Sequence, residues 1–152
     1  MPRRLVALFY DVLVATAILF LAATPVVVLF GIDREHPVYP IFVLYIYGVL
    51  FLYLGWFWIH GGQTLGMKTW RFELVTVKGA RINLTAAILR YAAAMAFWVP
   101  AGYGISRMLD GNLWSGLIMF APLFADYAAC IFRSDGMALH DALSRTKFSR
   151  VA

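Results

Sequence analysis

Residues Leu5 to Phe30, LVALFYDVLVATAILFLAATPVVVLF, form an unbroken apolar run interrupted by a single charge, Asp11. About 20 helical residues at ~1.5 Å rise cross the ~30 Å hydrocarbon core of a bilayer, so this run is long enough to span one. A carboxylate at such a depth costs roughly 2.5–3.5 kcal/mol at a helix centre on insertion scales. Asp11 therefore needs either a partner or a role. The stretch is too long for the apolar part of a cleaved leader, and a charge lies inside it, so we read it as a retained first span despite the basic Arg3-Arg4 before it.

The rest of the chain follows the same pattern. With 62% hydrophobic and 14% charged residues and a mean hydropathy of +0.76, the composition is too apolar for a water-soluble domain of 152 residues. Further apolar runs cover Tyr39 to Ile59, Ala86 to Met108 and Leu113 to Phe132. Short connectors at 31–38 and 109–112 join them into two hairpins, and Pro25, Pro100 and Pro122 are expected to kink rather than end the spans. The expected fold is an all-α bundle of four transmembrane helices in one domain over 1–152, with a loop over 60–85 and a tail over 133–152.

The formal charge of +5 does not signal nucleic acid, because the basic residues sit between the apolar runs. Arg3, Arg4, Lys68, Arg71, Lys78, Arg81, Arg133, Arg145, Lys147 and Arg150 fall on one side, and Arg34 and Arg107 on the other. The positive-inside rule then places both termini and the central loop in the cytoplasm. Tyr39, Tyr45, Trp56, Trp58, Trp98, Tyr103 and Trp114 lie towards span ends, as interfacial anchors do. The expected partners are the lipid bilayer and either further copies of the chain or a larger membrane complex. Cys130, the one cysteine, excludes an internal disulfide.

In the central loop, Trp70 to Val77 partly alternates polar and apolar residues, which predicts a short strand. Lys78-Gly79 suits a turn, and Arg81 to Leu84 a returning strand, giving a small cytoplasmic β-hairpin. Asn83 or Thr85 is the expected cap of the third helix. Gly61-Gly62 and Gly66 lack the Lys-Ser/Thr of a phosphate-binding loop and predict a tight turn, with Gln63 or Thr64 satisfying backbone groups. A short amphipathic helix is expected around Met137 to Leu143. No serine belongs to a nucleophile elbow or triad, so the chain is not expected to be an enzyme, and neither cofactor nor metal is implied.

Several of these residues together, Arg3-Arg4 followed by Asp11, Gly61-Gly62-Gln63-Thr64-Leu65-Gly66-Met67, Leu89-Arg90-Tyr91 and Leu139-His140-Asp141, resemble the RDD family of bacterial membrane proteins. The resemblance runs over nearly the whole chain in order and spacing. It implies that Arg4 and Asp11 are the family's arginine and first aspartate, with Asp141 as the second. Two places depart from it. Ala142 stands where a basic residue is common, and Arg145 where a small residue precedes the threonine. The family likeness implies an inner-membrane protein, with transport, including cation/proton antiport, as the suggested activity.

The candidate site is a charged cluster of Arg4, Asp11, Arg90, Asp126, His140 and Asp141. Arg4 and Asp11 share a helix face but lie roughly 10 Å apart along the axis. In the four-span topology Asp11, Arg90 and Asp126 are expected at one depth, with Arg90 forking onto Asp11 or Asp126, and His140 and Asp141 approaching near Arg4. Such a cluster can fix helix register, or it can leave one aspartate to exchange a proton or bind a cation. Sequence alone leaves both open.

Overall fold

In the computed structural model, residues 2–133 and 137–150 are described, with the side chains of 2–5 and 150 outside that description. Four helical stretches are long and apolar enough to cross a membrane: Val6–Phe30, Tyr39–Gly61, Leu84–Leu109 and Leu113–Phe132. They coincide with the expected spans to within two residues at each end. The elements are α1 (Pro2–Phe30), α2 (Tyr39–Gly61), α3 (Leu65–Thr69), β1 (Phe72–Thr76), α4 (Leu84–Leu109), α5 (Leu113–Ile118), α6 (Ala121–Phe132), α7 (Leu139–Leu143) and β2 (Thr146–Arg150). The strands β1 and β2 pair in a two-stranded sheet. The helices fall into two compact units, α1 to α3 in one and α4 to α7 in the other.

In the first unit, α1 packs against α2 and α3. Gly62 ends α2 in the left-handed conformation, φ +65°, and its N–H donates to the Trp58 carbonyl at 3.2 Å. A Cβ on Gly62 would also meet the Leu74 carbonyl oxygen at 3.2 Å. Gln63 Nε2 donates to the Phe72 carbonyl at 2.8 Å, and Thr64 Oγ1 accepts from the Met67 N–H at 3.3 Å as the cap of α3. The expected tight turn is there, and both side chains expected to satisfy backbone groups do so. Phe72 and Leu74 are buried with Glu73 between them less so, the two-residue period of a strand with one covered face.

In the second unit, α4 packs against α5, α6 and α7. Its closest approach to α5 is glycine on glycine. A Cβ on Gly104 would lie 2.7 Å from the Gly116 carbonyl oxygen, and one on Gly116 equally close to that of Gly104. Small residues of this kind let spanning helices approach in lipid. The fourth span is two helices rather than one. Met119 and Phe120 donate to Gly116 and Leu117 at 3.1 Å, tight three-residue bonds, because Pro122 has no N–H to continue the ladder. Pro25 and Pro100 stay inside their helices.

The expected hairpin differs in one respect. β1 and the turn after it lie where expected, but the return narrows to a single bridge, Val75 with Arg81. Asn83 Oδ1 accepts from the Ala86 N–H at 2.8 Å and starts α4, so the chain turns helical before a second strand can form. The strand that pairs with β1 comes instead from the C-terminal segment. Replacing Asn83 by alanine is expected to lower stability by about 1 kcal/mol. Thr85→Ala, which removes no cap, should leave the thermal unfolding midpoint in detergent where it is.

Among the described residues, two other than glycine have positive φ, Arg71 at 54° and Arg145 at 52°, and each stands immediately before a strand. Left-handed backbone costs a residue with a Cβ roughly 1–2 kcal/mol. Glycine alone would hold either position without that cost.

Candidate functional site

Asp11 sits nine residues into α1, one turn beyond Ala7 on the same face, and both are buried. Its carboxylate takes two hydrogen bonds from the segment around the start of α3. Thr64 Oγ1 donates to Oδ2 at 2.5 Å and the Gly66 N–H donates to Oδ1 at 2.9 Å. Hydrogen bonds to an ionised acceptor are the stronger kind, and here they offset part of the cost of burying a charge. The approach depends on two small residues. A Cβ on Gly66 would run into the Ala7 carbonyl oxygen and meet Asp11 Oδ1 at 2.9 Å and Cγ at 3.0 Å. The sequence expectation had α3 as a turn only. Its Thr64 and Gly66 are the donors that the buried carboxylate requires.

The second unit gathers Arg90, Asp126, His140 and Asp141. Arg90, one and a half turns into α4, is buried, and its Nη1 forms an ion pair with Asp141 Oδ1. The same Nη1 donates to Thr146 Oγ1 at 2.6 Å, and Nη2 faces His140 Nε2 at 3.4 Å. Asp141 Oδ2 accepts from the Ala138 N–H at 3.4 Å, which closes the first turn of α7. Asp126, fully buried in α6, holds the other side of the imidazole. Its Oδ1 accepts the His140 N–H at 2.9 Å and its Oδ2 lies 2.6 Å from His140 Nδ1. His140 Nε2 lies 3.3 Å from Asp141 Oδ1. Ser144 completes the network, donating to the His140 carbonyl at 2.7 Å and lying 2.8 Å from Thr146 Oγ1.

Three expectations change against this geometry. The carboxylate on Arg90 is Asp141, where Asp11 or Asp126 was expected, because α7 folds back on α4 and brings Asp141 with it. Asp126 instead orients His140. Asp11 takes its hydrogen bonds from Thr64 and Gly66, which reading spans as parallel rods left unseen. Arg4 belongs to α1, but its side chain lies outside the described residues, and with it the expected approach of His140 and Asp141. Ser144 and Thr146 escaped the sequence reading. The signal for them was available, since a buried guanidinium carries five N–H donors and one carboxylate cannot satisfy them all.

Among the described residues, the second network holds one guanidinium, two carboxylates and one imidazole. With His140 protonated, the four groups sum to zero charge, and with His140 neutral they sum to minus one. A family model described as RDD family matches residues 1–145 of the chain. No curated protein and no solved structure matches it.

Proposed function

Because the chain belongs to the RDD family and carries four helices fit to cross a bilayer, we propose that this multi-pass membrane protein of the bacterial inner membrane exchanges a cation for a proton at the Arg90–Asp141–His140–Asp126 network. One observation carries the reading. His140 Nε2 stands between an acceptor and a donor, Asp141 Oδ1 at 3.3 Å and Arg90 Nη2 at 3.4 Å. When protonated, Nε2–H donates to Asp141; when neutral, Nε2 accepts from Arg90. Nδ1–H serves Asp126 in both states. The imidazole thus takes up or gives up one proton while keeping a partner on each ring nitrogen. Release of the proton leaves one buried negative charge unbalanced. A monovalent cation drawn from water restores neutrality.

The test is cation flux in proteoliposomes under an imposed proton gradient. The parent protein should exchange sodium or potassium for protons, and His140→Gln, with one ring nitrogen's worth of donor and no titration, should abolish exchange while keeping its unfolding midpoint. Absence of flux in the parent, or full flux in His140→Gln, would end this reading.

A second reading, an accessory or structural subunit of a larger assembly, has its own support. The most apolar window of α1 has none of its residues buried within the chain, and the corresponding share for α2 is 11%. Phe20, Leu21, Val28 and Leu29 are all at least 70% exposed. That surface suits lipid and a protein neighbour alike. Extraction in mild detergent followed by mass measurement separates the two, since a lone 17.1 kDa chain would count against an assembly.

A further inference from the structure

The chain returns to its sheet with an unusual concentration of positive charge. Residues 75–83 and 144–147 contain Lys78, Arg81, Arg145 and Lys147 and no aspartate or glutamate. The two segments are fastened together, the Val77 N–H donating to the Arg145 carbonyl at 2.9 Å. Within the first segment the turn is fixed by the Val75–Arg81 bridge, by the Thr76 N–H to the Ala80 carbonyl at 2.9 Å, and by the Gly79 N–H to the Thr76 carbonyl at 2.8 Å. Lys78, Arg81 and Arg145 are exposed. The cations therefore project from a braced surface rather than a loose loop.

From this placement we propose that the Lys78–Arg81 turn and the Arg145–Lys147 segment form a binding surface for the headgroups of anionic phospholipids. Three observations select lipid over a soluble anion or an acidic protein. First, α4 begins at Leu84, three residues beyond Arg81, so no more than about 10 Å of extended chain separates this cation from the start of a span. The surface is held at headgroup level by its covalent link. Second, apolar side chains stand exposed among the cations, Val77 at 46%, Leu84 at 56% and Leu143 at 67%. Such side chains enter the acyl boundary while the charges remain at the phosphates, the arrangement of an interfacial segment. Third, Arg145 occupies left-handed backbone, φ 52°, that glycine would hold without strain. Strained backbone clusters at functional sites, and Arg145 adds its charge immediately before β2.

Each lysine or arginine at an anionic surface strengthens attachment by about fivefold, so removing three should weaken it by roughly a hundredfold. The experiment compares the parent chain with the combined Lys78→Gln, Arg81→Gln, Lys147→Gln variant in nanodiscs of pure phosphatidylcholine and of phosphatidylcholine mixed with phosphatidylglycerol. The parent should show a higher unfolding midpoint in the mixed lipid and should retain phosphatidylglycerol in native mass spectrometry after detergent extraction. The variant should match the parent in pure phosphatidylcholine, which establishes that it folds, and should lose both effects in the mixture. Salt near 1 M, where the screening length falls to about 3 Å, should erase the parent's preference. Equal midpoints for the parent in the two lipids would overturn the proposal. So would phosphatidylglycerol retained by the variant, or a midpoint rise of the same size when inorganic phosphate is added to the phosphatidylcholine sample. Cation flux is not a readout here, so the outcome is independent of the exchange proposed above.

Discussion

Gly66→Ala is expected to lower stability by about 2–4 kcal/mol, the sum of an overpacked contact and a weakened hydrogen bond to a charged acceptor. The added methyl has nowhere to go. It would strike the backbone carbonyl of Ala7 and come within 2.9 Å of Asp11 Oδ1, and neither a carbonyl in mid-helix nor a carboxylate pinned by two donors can rotate out of the way. The relief available is for α3 to withdraw from α1. That lengthens the Gly66 N–H bond to Asp11 and carries Thr64, the cap of α3, away with it. A buried carboxylate would then stand without its donors.

The same reasoning orders the companion variants. Asp11→Asn keeps one acceptor oxygen for the Gly66 N–H, and the Thr64 hydroxyl can turn to accept from the new amide, so its cost should be smaller than that of Gly66→Ala. Asp11→Ala removes the acceptor and one of the two groups that the new methyl meets, the Ala7 carbonyl remaining. In the double variant Gly66→Ala, Asp11→Ala the loss should fall well short of the sum of the singles, because both report on one contact. Thermal unfolding in a single detergent measures all four. A Gly66→Ala protein as stable as the parent would show that α3 does not rest on α1 in this way.

The spans were legible because lipid demands long apolar runs, and so was the anomaly of Asp11 inside the first. Its partners were not. Thr64 and Gly66 lie 53 and 55 residues away, in a stretch that looks like a turn. A helix of five residues such as α3 has no periodicity to betray it, whereas α7 falls inside the short helix expected around Met137 to Leu143 and only its packing on α4 went unread. Arg90 was recognisable as a charge needing a carboxylate, yet depth along a helix axis offered it Asp11 or Asp126 and passed over Asp141. The choice is made by α7 folding back, a tertiary event. The left-handed backbone of Arg145, φ 52°, was likewise not legible, because nothing in the neighbouring residues signals it.

Asp141→Ala is expected to cost about 3–5 kcal/mol, as is Arg90→Met, since each takes a buried counter-charge away from the other. Arg90 is 4% exposed and Asp141 1%. The alanine variant leaves a guanidinium with Thr146 as its hydrogen-bonding hydroxyl, and the methionine variant leaves a carboxylate with the Ala138 N–H and the imidazole. Neither replaces an opposite charge. Removing both charges together should cost less than either single change, because no uncompensated charge remains. The loss should also be local at first. Helix α7 has five residues, far below the ~12–15 that an isolated helix needs in water, so it persists by being tied to α4 through this pair and to α6 through Asp126. Hydrogen exchange read residue by residue should therefore show the amides of 139–147 opening in the single variants while those in the middle of α4 stay protected. A double variant less stable than both singles, or uniform deprotection of α4 and α7, would mean that Arg90 and Asp141 stabilise the unit by some route other than each other.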